Sequence, residues 1–347
     1  MYLAPARITD GTPMAQRTIR YGIIGFGRFA EKSIAPAIRR ARNSEVVALQ
    51  KRSAEEARKK ADECSIPLAF SSVDELVRHP DIDAVFIVSA NAAHCPGTVA
   101  AANAGKHVIV EKPMALSAGE AQEMIDACAA NGVKLMVGHM VRLSPLVRRT
   151  KELIAAGRIG SVKAARAEFM YDARVSHRKW LIDRAVAGGG PVVDVGVHCF
   201  DTLRYVLGGE PSSVSAAVWP LPTAASTEET AYVSLRFPGG VLASVFCSYT
   251  APYRRVTLEV IGTEGVITVP DFTAGDRPGR VILTRGKGDA PGVPVAEEIE
   301  VPNLYIEETA MFTDWILGGP EPELSGSNGL ANQRIIDLAL TPGRSDS

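Results

Sequence analysis

Between Ile19 and His139 short apolar runs alternate with stretches rich in alanine, glutamate and lysine, and this alternation leaves little choice of architecture. Residues 19–24, 45–49, 84–88, 107–110 and 134–138 read as buried strands. Residues 30–42, 54–64, 72–78, 97–104 and 118–131 read as helices, made of good helix formers. Strands that are apolar on both faces and separated by helices belong to a parallel sheet covered on both sides. Gly105 and Gly132 fall where helix C-caps are expected.

The register changes after His139. A helix over 145–156 stops at Gly157, a strand follows over 161–171, and a loop with Gly188-Gly189-Gly190 precedes a helix over 195–207. Strand patterns then dominate at 212–219, 230–237, 241–249, 255–262, 266–269 and 281–284, with Pro238-Gly239-Gly240 as a hairpin connection. Such alternation predicts a mostly antiparallel open sheet covered by helices on one face. Helices return at 305–317 and 330–340, the second able to pack back. The fold class is thus α/β plus α+β, divided as 19–139 and 140–342. Residues 1–18, with Pro5, Asp10 and Pro13 but no apolar run, read as a loose arm in which Met14 is an alternative start, and the tail after Pro342 reads as loose.

A chain of 347 residues is longer than one core needs, which agrees with two domains. Its 38 basic and 39 acidic residues are scattered and sum to −1, so nothing favours nucleic acid and a small-molecule partner is expected. No run is long enough to span a bilayer. Cys64, Cys95, Cys128, Cys199 and Cys247 are widely spaced with no CxxC pair, which implies reduced thiols, a cytoplasmic location and no metal site.

Gly25-Phe26-Gly27-Arg28-Phe29-Ala30 follows the first strand and opens the first helix. In that context a GxGxxA run seats a pyrophosphate on a helix N-terminus: the glycines allow a tight turn and close backbone approach, and the small Ala30 lets helix and strand pack. Residues 19–139 are therefore expected to form a doubly wound Rossmann domain with Gly25, Phe26, Gly27, Arg28 and Phe29 along the dinucleotide. An acidic residue roughly 20 positions on would hold the ribose hydroxyls of NAD. The segment Leu49-Gln50-Lys51-Arg52-Ser53 has none. Lys51 and Arg52 instead suit a 2′-phosphate, so NADP(H) is expected over NAD(H), the alternative being a solvated strand end.

Glu111-Lys112-Pro113 ends the strand at 107–110 and puts a lysine at the carboxyl end of a parallel strand, where open α/β sheets bind ligands. Four further stretches accompany it: residues 25–30; Ser89-Ala90-Asn91-Ala92-Ala93-His94; Gly188-Gly189-Gly190 running to Asp194-Val195-Gly196-Val197-His198; and residues 308–315. Together they resemble the glucose-fructose oxidoreductase, inositol dehydrogenase and rhizopine-catabolism family, Gfo/Idh/MocA, over residues 20–340. The resemblance implies an oxidoreductase passing a hydride between a nicotinamide dinucleotide and the carbinol or carbonyl carbon of a sugar, cyclic polyol or related keto compound. It implies that Lys112 touches both the nicotinamide end of the cofactor and the reacting oxygen, often with a cis peptide before Pro113. It also implies that Asp194 and His198 approach substrate from the second domain, and that the open sheet pairs copies into a homodimer or homotetramer.

The residue types agree with that chemistry. Asp194 and His198, at i and i+4 on a helix, share one face. Alcohol oxidation needs a base for the hydroxyl proton, which His198 supplies, while the Lys112 ammonium polarises the oxygen. Asp194 either orients His198 or grips a substrate hydroxyl. The plain alternative is a capping Asp194 and a core histidine at 198. Asp201, three residues past His198, is placed to share its role. Ser89, Asn91, His94 and Glu111 are expected along the nicotinamide groove, with an Asx-type turn as the other use for Asn91. His139 and Arg142 at the domain crossing either contact substrate or hold the junction. Tyr171, His177, Arg178 and Trp180 border the pocket, Tyr171 toward substrate and Trp180 toward cofactor. Many relatives carry Trp-Arg here; Leu181 follows Trp180 in this chain, which leaves Arg178 or Arg184 to substitute. A dihydrodiol or other non-sugar carbonyl reductase, a hydride exchanger with retained cofactor, and a non-catalytic dinucleotide sensor are the competing functions.

Overall fold

The structure, a computed structural model, describes residues 17–288 and 290–341. The arm expected over 1–18 lies outside them except for Arg17 and Thr18, as does the tail after Pro342. Strands β1 (Ile19–Ile24), β2 (Ser44–Gln50), β3 (Leu68–Phe70), β4 (Ala84–Ile87), β5 (His107–Glu111) and β6 (Leu135–Gly138) form a six-stranded parallel sheet in the order β3-β2-β1-β4-β5-β6. The order reverses between β1 and β4, and the crevice at their carboxyl ends is the switch point where such sheets take ligands. Alternate residues feed two apolar clusters: Ala84 and Phe86 of β4 join one, Val85 and Ile87 the other. This is why the strands read as continuous apolar runs.

The first helices are α1 (Ala35–Arg40), α2 (Ala54–Cys64), α3 (Val73–Arg78), α4 (His94–Asn103) and α5 (Ala118–Ala130). Three of them start the same way, with Ser53, Ser72 and Ser117 each accepting the backbone N–H of a glutamate three residues on. That cap satisfies an orphan donor and sets a negative charge at the positive helix end. The helix expected over 30–42 is a π turn, Ala30–Ile34, continued by α1.

The second half contains α6 (Pro145–Ala155), β7 (Val162–Asp172), α7 (Arg184–Ala187), a π turn at Val192–Gly196 and α8 (Val197–Leu207). Then come β8 (Ser213–Trp219), β9 (Thr230–Arg236), β10 (Leu242–Ser248), β11 (Thr250–Gly262), β12 (Gly265–Pro270), β13 (Gly279–Lys287), β14 (Ala290–Pro291) and β15 (Val295–Ile299). These strands make a nine-stranded sheet, antiparallel in every pairing except β7 with β10. Gly239 and Gly240, both with positive φ, carry the chain from β9 into β10. Ala231, Val233, Leu235, Ala243, Val245 and Cys247 bury one face under the helices, while Tyr232, Leu242 and Trp219 stay exposed on the other.

Helices α9 (Leu304–Ile316) and α10 (Gly326–Leu340) both return to the first sheet. Tyr21 Oη and Thr313 Oγ1 are 2.7 Å apart, Asp314 pairs with Arg42, and the Val137 N–H donates to Leu324 O at 2.9 Å. Among the described residues no helix is long and apolar enough to cross a membrane.

Candidate active site

The loop after β1 is closed by its own sequence. Gly25 has φ +83°, and a Cβ there would stand 2.6 Å from Ser89 Cα, so both conformation and packing require glycine. Gln50 at the end of β2 ties the loop down: its Oε1 accepts the Gly25 N–H at 3.1 Å and its carbonyl accepts the Phe26 N–H at 2.9 Å. Gly27, Arg28 and Phe29 stay exposed, whereas Phe26 is buried. Ser89 Oγ, against this loop, is buried with no partner among the described residues. Lys51 Nζ reaches Phe26 O at 3.3 Å and Glu56 at 3.4 Å, and Arg52 is exposed beside it. An open glycine turn, a hydroxyl without a partner among the described residues and two adjacent cations form a donor set that fits a dinucleotide.

A buried cluster of charged side chains assembles at the carboxyl end of β5. The Lys112–Pro113 peptide is cis, and Lys112 Nζ donates to Asp194 O at 2.7 Å and Oδ1 at 3.2 Å. Asp194 also takes both guanidinium nitrogens of Arg178, each at 3.0 Å, and the Tyr171 hydroxyl at 2.9 Å. Burial alone would raise the Asp194 carboxyl; the Lys112 and Arg178 charges, with the hydrogen bonds from Arg178 and Tyr171, outweigh it and hold Asp194 well below the usual range. His198 is buried and stacks on Phe169 with ring centroids 6.0 Å apart. Burial, reinforced by the nearby Lys112 charge, pushes His198 well below the ordinary histidine range, so its imidazole is neutral.

One expected contact is absent. The Asp194 carboxylate does not orient His198: its bonds go to two cations and a phenol, and His198 Nδ1 has no partner among the described residues. The π turn over Val192–Gly196 explains the departure, because a wider turn breaks the i, i+4 stacking assumed for an α-helix. Asp201 is also elsewhere. It accepts Arg142 Nε at 2.9 and 2.8 Å and the amides of Asn328 and Asn332, deep in the junction. His139 belongs to the same network through Asn332, 3.1 Å from its Nε2, and is 1% exposed, which places it at the junction rather than against substrate.

Asn91 and His94 are buried, and the Asn91 amide nitrogen and both His94 ring nitrogens face protein carbonyls. Asn91 Nδ2 donates to Ala187 O at 2.8 Å, while the His94 ring nitrogens lie 2.9 Å from Pro113 O and 3.1 Å from Ser89 O. Trp180 is half-buried, 6.0 Å from the Arg178 guanidinium. Arg178 is engaged by Asp194, and Arg184 donates from Nη1 to Thr223 O at 3.2 Å. Residues the sequence did not single out pack around the cluster: Phe169 on His198, Tyr249 edge-on to Tyr171 at 5.4 Å, and Tyr305 edge-on to Phe29 at 5.4 Å. Glu228 holds the triple glycine by accepting the Gly190 and Val192 N–H groups at 2.9 and 3.1 Å.

Comparison with known proteins bears out the family that the motifs resemble. Residues 19–139 match the model of an oxidoreductase family with an NAD-binding Rossmann fold, and residues 147–268 match a GFO/IDH/MocA C-terminal domain. The chain is 34% identical to the 1,5-anhydro-D-fructose reductase of Ensifer adhaerens, over 90% of this chain and 92% of that one. It is 32% identical to the trans-1,2-dihydrobenzene-1,2-diol dehydrogenase of Mus musculus, over 74% and 76% of the two chains. The solved aldose-aldose oxidoreductase from Caulobacter crescentus superposes with a TM-score of 0.83 at 28% identity, over 94% of this chain and 99% of that one.

Proposed function

The chain belongs to the Gfo/Idh/MocA family of oxidoreductases, and within it we propose an NADP(H)-dependent enzyme that acts on a hydroxyl or carbonyl carbon of a sugar or cyclic polyol. The single observation that carries this reading is the convergence of Lys112, Asp194 and Arg178, with neutral His198 beside them, at the carboxyl end of β5. When bound, the nicotinamide supplies or accepts the hydride. Lys112, as ammonium, holds the reacting oxygen and stabilises negative charge on it. Neutral His198 accepts the hydroxyl proton on oxidation. Asp194 fixes Lys112 and Arg178, and the polar side chains gathered around it suit hydroxyl-rich substrates. Lys51 and Arg52, with no acidic residue at the end of β2, support the preference for a 2′-phosphate.

Titration of intrinsic fluorescence should give tighter binding of NADPH than NADH; the reverse order would remove the coenzyme assignment. Lys112→Met and His198→Asn should each lower kcat far more than coenzyme affinity, and near-normal turnover in both would overturn the roles of the two side chains. The second reading is an aromatic dihydrodiol substrate, favoured by the Phe169, Tyr171 and Tyr249 rings around Asp194. Comparing turnover on aldoses and inositols with that on aromatic diols separates the two. A cytoplasmic location is in keeping with the free and mostly buried cysteines. The exposed Trp219, Tyr232 and Leu242 support pairing of two or four copies through the outer sheet face. Tyr232→Glu with Leu242→Glu should then give monomers by light scattering; a monomeric parent protein would rule the pairing out.

A further inference from the structure

Asp194 has no acceptor position left for a substrate. A carboxylate offers about four lone-pair sites. Its Oδ1 takes Lys112 Nζ at 3.2 Å and Arg178 Nη1 at 3.0 Å, and its Oδ2 takes the Tyr171 hydroxyl at 2.9 Å and Arg178 Nη2 at 3.0 Å. Arg178 thus meets Asp194 end-on, through both Nη atoms, and the Nε side of its guanidinium stays open. Nε makes no hydrogen bond among the described residues, and the other contact of Nη2, to Tyr171 Oη, is a long 3.3 Å. The Arg178 side chain is 45% exposed where Asp194 is 6%. What the cluster turns toward solvent is therefore N–H, and it suits a substrate group that accepts.

The charges of the cluster are unequal as well. Lys112 and Arg178 bring two positive charges to the single negative charge of Asp194. Glu111 accepts the Lys112 backbone N–H at 3.1 Å, and burial pushes its carboxyl up to about 7, so at neutral pH it offsets only part of the excess. The whole chain carries −1, which makes the positive excess a property of this site and not of the molecule. The open side of a half-exposed guanidinium, in such a field, is a fork for a carboxylate or a phosphate. We propose that the substrate carries an anionic oxygen group, gripped by the Nε side of Arg178 while Lys112 holds the reacting oxygen: a sugar acid or sugar phosphate in preference to a neutral sugar. The claim about substrate rests on the oxidoreductase reading of Lys112; the anion site on Arg178 does not.

Arg178 also holds Asp194, so its removal weakens the site for every substrate. The ratio between an anionic sugar and its neutral counterpart separates the two effects, because only a direct grip on the anion enters it. Arg254 supplies the control. Its side chain is likewise 45% exposed and binds one carboxylate through both Nη atoms, Asp271 at 2.9 and 3.0 Å, but it lies outside the Asp194 cluster, 5.3 Å from the Phe169 ring.

Turnover with each coenzyme is compared on glucose, glucuronate and glucose 6-phosphate, and calorimetry with coenzyme present compares the binding of glucitol, gluconate and glucitol 6-phosphate. In the parent protein kcat/KM for an anionic sugar should exceed that for glucose by about tenfold or more, as expected for hydrogen bonds to a charged group. That ratio should fall to near one in Arg178→Met and survive in Arg254→Met. Whether glucuronate or glucose 6-phosphate gives the larger ratio tells a carboxylate from a phosphate. Glucose turned over as well as both anionic sugars overturns the proposal, as does a preference that persists in Arg178→Met. If none of the sugars is turned over, the oxidoreductase reading fails and calorimetry decides the anion site alone. Gluconate or glucitol 6-phosphate bound about tenfold more tightly than glucitol, with the difference lost in Arg178→Met, upholds the site; equal binding of all three overturns it.

Discussion

Asp194 and Asp201 are one helical stretch apart and look alike in the sequence, yet they do different work. Asp194 meets three side chains in a cleft, and Asp201, 1% exposed, is held by Arg142, Arg204, Asn328 and Asn332. Removing one partner of a buried charge network leaves the others uncompensated, so Asp201→Ala should lower unfolding stability by about 3–5 kcal/mol in urea melts. Arg178→Ala removes a bidentate charged contact from Asp194, and kcat/KM should fall by about tenfold or more with unchanged coenzyme affinity. A loss of coenzyme affinity instead would move Arg178 to the phosphate side. Because burial depresses His198 far below the ordinary histidine value, its base form persists through neutral and mildly acidic pH. The kcat/KM profile for oxidation should therefore show no break near pH ~6.5, the unperturbed histidine value. The convergence on Lys112 was legible in the motif at 111–113, but the partners of Asp194 were not, since contacts that three residues make from separate segments leave no spacing to read.

At the level of elements, strands of the first sheet announced themselves because burial on both faces makes them uninterrupted apolar runs. β3 and β15 did not: one is three residues long and half-buried, the other exposed at four of its five positions. Both π turns were also invisible, because a local widening leaves the surrounding helical composition unchanged. The second of them starts beside the triple glycine, where a Cβ on Gly190 would stand 1.9 Å from Glu228 O. Gly190→Ala should consequently displace the Glu228 backbone in the loop ahead of β9 and lower the thermal midpoint, with lost turnover because Asp194 lies on the same turn. A stable, fully active variant would show that this packing yields easily.

Across the whole molecule, the pH dependence of stability is set by buried groups of opposite sense. His94, His139 and His198 are neutral in the fold, His139 pushed down to about 4, with burial the main cause in each. The unfolded chain binds those protons first, so these groups remove stability as pH falls below about 6.5, by up to about 1.4 kcal/mol per pH unit each. Glu111 and Glu308 have raised carboxyls and bind protons in the fold before the unfolded chain does, so over the same window they return stability. Glu308→Gln deletes part of that return. Its urea-unfolding stability should fall more steeply between pH 7 and pH 5 than the parent's, and parallel curves would contradict the sign assigned to Glu308.

The return of α9 and α10 to the first sheet means that the polypeptide visits the nucleotide-holding half twice, at its start and near its finish. Tyr305 leans on Phe29 of the glycine turn, so a proteolytic nick just ahead of Leu304 would loosen coenzyme grip before it disturbed the distant β-sheet. The two halves are dovetailed, and neither is a detachable module.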